Sequence, residues 1–320
     1  IYWQKQQLQQ LHLKSTTSTT STTSTTIDQI VHLDNIHIDS EITSSQQQPV
    51  MVLLHGHSMS AAFFYRNFDH YTSMGFKVYA PDLLGWARSS RPEFVSGQPD
   101  DSVQFFVDSF AQWVDELNLD NIFLVGHSLG SYVAYEYACN YPSKVKHLTL
   151  ITPAAITRHV SWYRAFYFSL TPQRIARRLG LFGLILFFFK YPNTMEPYVR
   201  HNIRDYTWLL SAQNGYGSGD FAFSNMIQWT SPWEAQCRSP LLEKVKPLPM
   251  PVCLVGAAQD SLVSLDMVVQ LFEAFAQIGN RCSLYSMNSD HCPHFEDAQT
   301  FASIMETEIR RCAPWIGKVF

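Results

Sequence analysis

Residues 121–138 read NIFLVGHSLGSYVAYEYA, and this stretch decides which fold the chain is expected to adopt. An apolar run typical of a buried strand ends at Gly126, and a helical pattern begins near Gly130. Ser128 stands between the two glycines, in the spacing G-x-S-x-G. Glycines at both positions would let the strand and the helix pack closely. The pattern therefore predicts a strand, a sharp turn and a helix, with the serine hydroxyl presented beyond the edge of the sheet.

The same alternation of short apolar runs and helical periods continues along most of the chain. Helical patterns are predicted from Asp101 or Ser102, as a capping residue, to Leu117, from about Leu265 to Ile278, and from about Asp297 onwards. The runs typical of strands are VMVLLHG (50–56), FKVYAPD (76–82), NIFLVG (121–126), VKHLTLITP (145–153), PVCLVGA (251–257) and RCSLYSM (281–287). Such alternation predicts an α/β fold in which helices flank a mostly parallel sheet.

The domain organisation follows from where this rhythm starts, stops and resumes. Residues 15–26 are four Ser-Thr-Thr triplets beside Gln-rich pieces, so residues 1–26 are expected to be disordered. The core is predicted to consist of residues 27–155 and 240–320. Between them, residues 156–239 are aromatic and irregular, which predicts an inserted helical cap. Within this insertion, QNGYGSGD (213–220) is expected to form a flexible loop.

Composition excludes several classes of partner and cofactor. The 320 residues carry a formal charge of −4 without a long basic run, so no nucleic-acid partner is expected. The cysteines are widely spaced and lack a C-x-x-C pair, which indicates reduced thiols of a cytoplasmic protein rather than a zinc ribbon or a disulfide framework. They are Cys139, Cys237, Cys253, Cys282, Cys292 and Cys312. No metal and no cofactor are expected.

A serine hydroxyl becomes a useful nucleophile only when a base takes its proton, so the chain must supply a base and an acid. With this type of turn, the acid and then the histidine follow the serine along the chain. Asp260 follows the strand at 251–257, with Asp266 as a weaker rival. His291 comes first after the strand at 281–287 and is the preferred base, whereas His294 is the alternative base, a supporting residue or merely exposed.

The negative charge that develops on an attacked carbonyl needs hydrogen-bond donors. The segment LLHGHSMS (53–60) would present the backbone N–H of His57, and Leu129 would present the other N–H. A structural role is expected for His55, which would bond loop carbonyls, whereas His127 fills the variable position of the turn. Neither has partners at metal-ligand spacing.

Over about residues 30–315 the chain resembles the α/β-hydrolase family, through the HG after a strand, the serine turn, the Asp loop and the late histidine. Three segments narrow the resemblance: PDLLGWARSSRP (81–92), GSGDFAFSNM (217–226) and the late H-x-x-x-x-E-D. They look like the group of N-acyl-phosphatidylethanolamine lipases, lysophospholipid-active enzymes and lipid-droplet lipase co-activators. Lysophosphatidic acid acyl transfer in that group is credited to H-x-x-x-x-D, whereas here Glu296 holds the fifth position after His291 and Asp297 follows.

The resemblance implies lipid acyl esters or N-acyl phospholipids as substrates, cleaved through an acyl group on Ser128. Co-activators look like members that have lost the serine, which this chain keeps. Alternatives are a scaffold or co-activator of another lipase, a lysophosphatidic acid acyltransferase and a soluble small-ester hydrolase. The apolar run 179–189 lies between Arg178 and Lys190 and is too short to span a membrane. It is expected either to lie on a membrane or lipid-droplet surface or to form a cap helix beside an acyl pocket.

Overall fold

The computed structural model of the chain describes residues 33, 35–38, 48–96, 100–162, 165, 166, 182 and 217–313. The segment predicted to be disordered, residues 1–26, lies outside the described residues, as does most of the predicted cap. The apolar run 179–189 also lies outside them, apart from Phe182.

In the described part of the chain, seven strands form the main sheet, in the order β1-β3-β2-β4-β5-β9-β10. The edge strand β1 pairs antiparallel with β3, and the other neighbours pair in parallel. The seven strands are β1 (Asn35–Ile38), β2 (Val50–Leu54), β3 (Lys77–Pro81), β4 (Ile122–His127), β5 (Val145–Ile151), β9 (Val252–Ala257) and β10 (Cys282–Met287). The predicted mostly parallel sheet is confirmed.

Helices cover both faces of this sheet, because successive residues of a strand point to opposite faces. Along β2, Val52 and Leu54 pack into a core with residues of the helices at 101–116, 129–140 and 265–277, whereas Met51 and Leu53 pack into a second core with residues of those at 65–73 and 298–312. The helices are α1 (Tyr65–Ser73), α2 (Asp101–Glu116), α3 (Leu129–Asn140), α4 (Ser218–Asn225), α5 (Leu265–Gln277), α6 (Pro293–Glu296) and α7 (Ala298–Cys312).

The described part of residues 156–239 contains strands as well as a helix. Strands β6 (His159–Ser161), β7 (Ile227–Ser231) and β8 (Glu234–Cys237) form a small antiparallel sheet in the order β6-β8-β7. The expectation of a flexible loop over residues 213–220 is wrong for 218–220, since α4 begins at Ser218. Residues 218–220 are completely buried, and residues 213–216 lie outside the described part.

Two helix starts test the capping predictions. Helix α7 begins directly after Asp297, whose carboxylate accepts the Thr300 N–H at 3.1 Å, so the start predicted near Asp297 is confirmed. Helix α2 begins at Asp101, one residue after Asp100, so neither Asp101 nor Ser102 is the cap. No described helix is long and apolar enough to cross a membrane. All six cysteines are free thiols.

Candidate active site

The turn between β4 and α3 holds Ser128 in an unusual backbone conformation. Its φ is 52° and its ψ is −115°, in a region that non-glycine residues rarely adopt and that is strained. Tight packing on both sides imposes this turn. A Cβ atom at Gly126 would lie 2.3 Å from the carbonyl oxygen of Gly130, and one at Gly130 would lie 2.1 Å from that of Leu54. Both glycines are therefore required for the strand and helix to approach, as the sequence predicted.

The structure brings Ser128, His291 and Asp260 together in one chain of hydrogen bonds. The Ser128 hydroxyl lies 3.0 Å from Nε2 of His291, and Nδ1 of His291 lies 2.7 Å from Oδ2 of Asp260. The other carboxylate oxygen of Asp260 accepts the backbone N–H groups of Leu262 and Val263. The Asp260 side chain is fully buried, so it is not a solvated loop carboxylate. This arrangement fixes the His291 tautomer, with a proton on Nδ1 and a lone pair on Nε2 facing the hydroxyl.

The loop that carries His291 is held by side chains from both sides. The backbone carbonyl oxygen of His291 accepts hydrogen bonds from Nε2 of His127 at 2.8 Å and from the Thr152 hydroxyl at 3.0 Å. The Glu296 carboxylate accepts the N–H groups of the flanking residues, Asp290 at 2.8 Å and Cys292 at 3.2 Å. The sequence predicted no role for His127 beyond its place in the turn, and Glu296 was considered only as part of the H-x-x-x-x-E-D segment. The structure shows that both residues fix the position of His291.

The two rival candidates, Asp266 and His294, make no hydrogen bond to Ser128 or His291 in the described part of the chain. Asp266 is in the first turn of α5, where an acidic residue favours the helix dipole. His294 is completely buried, so the expectation that it could be exposed is wrong. Burial, with a smaller contribution from His291, lowers the pKa of His294 to about 3. Its ring packs 4.6 Å from the rings of Phe64 and His127.

The loop after β2 approaches the serine turn closely enough to supply an oxyanion donor. A Cβ atom at Gly56 would lie 2.8 Å from Nδ1 of His127 and 3.1 Å from Cβ of Ser128, so only glycine fits there. The next residue, His57, lines the same cavity as Ser128. Leu129 is the first residue of α3, where a backbone N–H has no acceptor within the helix. These are the two backbone groups that the sequence nominated.

His55 has the structural role expected from the sequence. Its Nδ1 lies 2.8 Å from the carbonyl oxygen of Gly56, and its Nε2 accepts the Leu83 N–H at 2.8 Å. Burial lowers the pKa of His55 to about 4, so the ring stays neutral while it joins the two loops. Across the described ranges, no group of three or more His, Cys, Asp or Glu side chains could hold a metal ion.

A second carboxylate–imidazole contact next to the cavity was not predicted. The fully buried Asp220 lies 3.6 Å from Nε2 of His57 and accepts the indole N–H of Trp86 at 3.3 Å. The His57 ring stacks on Phe223, with ring centroids 4.1 Å apart. Asp220 belongs to the segment GSGDFAFSNM and Trp86 to PDLLGWARSSRP, two segments that carry the family resemblance. The presence of both segments in one chain was the available signal, but the sequence alone did not show that Trp86 and Asp220 are in contact.

A largely apolar cavity opens beside the Ser128 hydroxyl. Loops after β5 and β9, strands β6 to β8 and helix α4 contribute its walls, while His57, Ser128, Thr157, His159 and His291 are its polar residues. The apolar lining residues are Ala154, Ala155, Ile156, Val160, Phe223, Met226, Ile227, Cys237, Leu262, Val263 and Met267. A site of this composition can hold a hydrocarbon chain next to an activated hydroxyl.

Two curated proteins similar in sequence are named as acyltransferases. The chain is 32% identical over 256 residues to a probable 1-acylglycerol-3-phosphate O-acyltransferase of Oryza sativa subsp. japonica, covering 71% of this chain and 59% of that protein. It is 33% identical over 237 residues to 1-acylglycerol-3-phosphate O-acyltransferase ABHD5 of Rattus norvegicus, covering 66% of this chain and 64% of that protein. The chain thus spans about three fifths of the length of these relatives.

Solved structures share the fold at low sequence identity. An esterase of Thermogutta terrifontis superposes with a TM-score of 0.65 at 16% identity, covering 88% of this chain and 94% of that one. A membrane phospholipase A, described as a bacterial virulence factor, gives 0.61 at 18% identity, covering 88% and 86%. The family model described as alpha/beta hydrolase fold matches residues 49–298. Because this match spans most of the 320 residues, the chain belongs to the α/β-hydrolase family.

Proposed function

We propose that this chain is a serine hydrolase that cleaves lipid acyl esters or N-acyl phospholipids through an acyl group on Ser128. The observation that carries the proposal is the hydrogen-bonded series from the Ser128 hydroxyl through His291 to the buried Asp260. A scaffold would need none of these three positions. A co-activator without catalysis is therefore the weaker interpretation.

In the first half-reaction, the Ser128 oxygen attacks the substrate carbonyl carbon while Nε2 of His291 takes the hydroxyl proton. Asp260 stabilises the resulting imidazolium through Nδ1. The backbone N–H groups of His57 and Leu129 donate to the oxyanion, each such donor being worth about 3 kcal/mol of the barrier. The intermediate collapses to an acyl-serine, and the leaving oxygen or nitrogen takes the proton from His291. Water then attacks the acyl-serine with His291 again as base, which releases the fatty acid.

Both the lining of the cavity and the names of the similar proteins support an apolar, lipid-like substrate. The lining beside Ser128 is dominated by aliphatic and aromatic side chains. The relatives carry names that specify acylglycerol phosphates. We also propose that residues 156–239 form a cap inserted between the core segments 27–155 and 240–320, because Val160, Phe223 and Cys237 line the cavity together with Ser128. A peripheral position at a membrane or lipid-droplet surface would give such a site access to its substrate.

Acyl transfer to a lysophosphatidic acid is the second candidate, favoured by the names of the relatives. It would use the same acyl-serine and replace water by a lipid hydroxyl as the acceptor. The residues of the H-x-x-x-x-E-D segment support it weakly. Glu296 is engaged with two backbone N–H groups, and Asp297 caps α7. Both carboxylates are therefore occupied in holding the backbone.

Labelling with a fluorophosphonate tests the nucleophile. Wild type is expected to label covalently, Ser128→Ala to remain unlabelled and fully folded, and Ser261→Ala, at an exposed serine beside Asp260, to label as wild type. His291→Ala should lower ester turnover by about 10³-fold or more, while His294→Ala should lower it far less. Persistent labelling of Ser128→Ala would refute the assignment.

A substrate panel then separates the proposed reactions. It would contain a lysophospholipid, an N-acyl-phosphatidylethanolamine, a short water-soluble ester, and an acyl donor with lysophosphatidic acid as acceptor. Hydrolysis of the first two supports the lipid hydrolase. Turnover of the short ester alone would identify a soluble small-ester hydrolase, and transfer without hydrolysis would identify the acyltransferase.

A further inference from the structure

Three tryptophans of the small antiparallel sheet lie at the protein surface and form what we term the tryptophan patch. The exposed fractions are 47% for Trp162, 42% for Trp229 and 70% for Trp233. Trp233 lies in the turn between β7 and β8, and Trp162 directly follows β6. Their rings meet edge to face, with centroids 5.8 Å apart. Large exposed aromatic groups gathered in one place typically mark an interaction surface.

The patch continues one wall of the catalytic cavity towards the surface. In the sheet, Ile227 pairs with Cys237 and Trp229 pairs with Ala235. Because side chains alternate along a strand, Ile227 and Trp229 lie on the same face of β7. Ile227 and Cys237 line the cavity beside Ser128. Trp229 therefore extends this apolar face by one more position, on an edge strand and half exposed.

We infer that the tryptophan patch inserts into a lipid–water interface and holds the cavity mouth against it. Indole rings combine a large apolar surface with one N–H donor, which suits the boundary between acyl chains and head groups. An apolar path from that boundary to the serine would let an acyl chain pass without crossing water. The use of this path for substrate rests on the proposed function, whereas binding to the lipid surface does not.

The charges around the patch indicate a zwitterionic rather than an anionic surface. Within residues 159–162 and 227–238, the residues with a formal charge at neutral pH are Glu234 and Arg238, which offset each other. The nearby Arg158 is paired with Glu243. Attraction to anionic head groups would require a cationic face. Binding driven by indole burial should instead be nearly independent of salt.

Flotation of the full chain with phosphatidylcholine vesicles tests the inference. The test variant is Trp229→Ser with Trp233→Ser. The matched control is Tyr141→Ser with Ile278→Ser, which removes two apolar side chains that are 37% and 40% exposed. These lie at the C-terminal ends of α3 and α5, whereas Ser128 lies at the N-terminal end of α3. Melting curves and gel filtration of each protein report folding and self-association.

Wild type and the control variant are expected to bind the vesicles equally, with little change between 0.05 and about 0.5 M salt. The double tryptophan variant should bind at least about tenfold more weakly while melting as wild type. Its turnover of a short soluble ester should match wild type, and its turnover of vesicle-borne substrate should fall. If neither wild type nor any variant turned over either substrate, the proposed function would be refuted, but the vesicle-binding result would still test the patch.

Three outcomes would overturn the inference: no vesicle binding by wild type, equal binding by the tryptophan variant, or equal loss in the control. Strengthened binding on addition of anionic lipid, reversed by salt and unaffected by the tryptophan change, would assign membrane contact to another, cationic surface. A wild-type dimer that the tryptophan variant converts to a monomer, without vesicle binding, would identify a second copy of the chain as the occupant of the patch.

Discussion

Replacing His294 by Phe should make the protein more resistant to acid without weakening it at neutral pH. The His294 ring is completely buried, and neither of its nitrogens has a hydrogen-bond partner in the described part of the chain. It packs against Phe64 and the neutral ring of His127, with Phe301 further away. A phenyl ring of similar size should therefore fill the site at small cost near pH 7.

The effect of pH follows from where the proton can bind. In the unfolded chain His294 takes up a proton near pH 6.5, whereas burial lowers its pKa in the folded chain to about 3. Between these values the unfolded state binds more protons, so stability falls as the pH falls. From pH 7 to pH 5 this one histidine should lower the free energy of unfolding by about 2 kcal/mol. His55, with a pKa lowered by burial to about 4, should contribute a similar amount.

The buried carboxylate of Glu308 contributes little to the change in stability between pH 7 and pH 5. For Glu308, burial alone would raise the pKa, but the nearby His147 ring and the hydrogen bonds that Tyr285 and Ser283 donate lower it to about 2. The stability contributed by Glu308 is therefore lost mainly below pH 4.5, the ordinary value for a glutamate. Comparison of wild type with His294→Phe between pH 7 and pH 5 thus isolates the contribution of His294 to the pH dependence of the unfolding free energy.

Urea unfolding at pH 7, 6 and 5 provides the measurement. The difference in unfolding free energy between His294→Phe and wild type should grow by about 2 kcal/mol in favour of the variant from pH 7 to pH 5. The control is His159→Asn, which removes an exposed histidine outside the buried cluster. Parallel curves for His294→Phe and wild type would mean that His294 accepts a proton in the folded protein, and the burial argument would be refuted.

Two further substitutions test the residues that support the candidate site. Glu296→Gln leaves one of the two backbone N–H groups without a carboxylate oxygen, so it should lower kcat for a short ester about tenfold with little change in KM. Steady-state kinetics with Asp297→Asn as the control measures this, and an unchanged kcat would contradict it. Gly219→Ala would place a Cβ atom 2.7 Å from the Trp86 ring, so urea unfolding should show a loss of about 1–3 kcal/mol of stability. If the variant were as stable as wild type, the Trp86 ring would have moved aside at no cost.

The elements that the sequence predicted well are those whose signal is local. The serine turn needs a strand, two glycines and a helix within a few residues, and all of these are visible between 121 and 138. His291 was preferred over His294 because it comes first after the strand at 281–287, and the structure places it within hydrogen-bond distance of Ser128 and Asp260; its role as the base stays a prediction. The short strand β1 was missed because four half-buried residues carry little periodic signal.

The contacts that the sequence did not predict depend on segments far apart in the chain. Trp86 and Asp220 are 134 positions apart, and their hydrogen bond exists because Gly85 and Gly219 pack backbone to backbone. A Cβ atom at Gly85 would lie 2.1 Å from the nitrogen of Gly219. A glycine-rich segment is typical of a loop, so its local signal favoured flexibility. The segment around Gly219 is buried because it packs against Gly85, and this distant contact fixes Asp220 beside His57.

The histidine cluster around the candidate site links its geometry to its sensitivity to acid. His127 holds the carbonyl oxygen of His291 from within the serine turn, and this bond uses the proton on Nε2 of a neutral ring. Burial, together with the neighbouring His294 and His291, lowers the pKa of His127 well below its usual value. The neutral state keeps a second positive charge away from His291 at the step in which, in the proposed mechanism, that residue takes the serine proton. The same burial makes the unfolded chain the better proton acceptor, so the packing that positions the proposed base also limits how acidic a solution the fold can withstand.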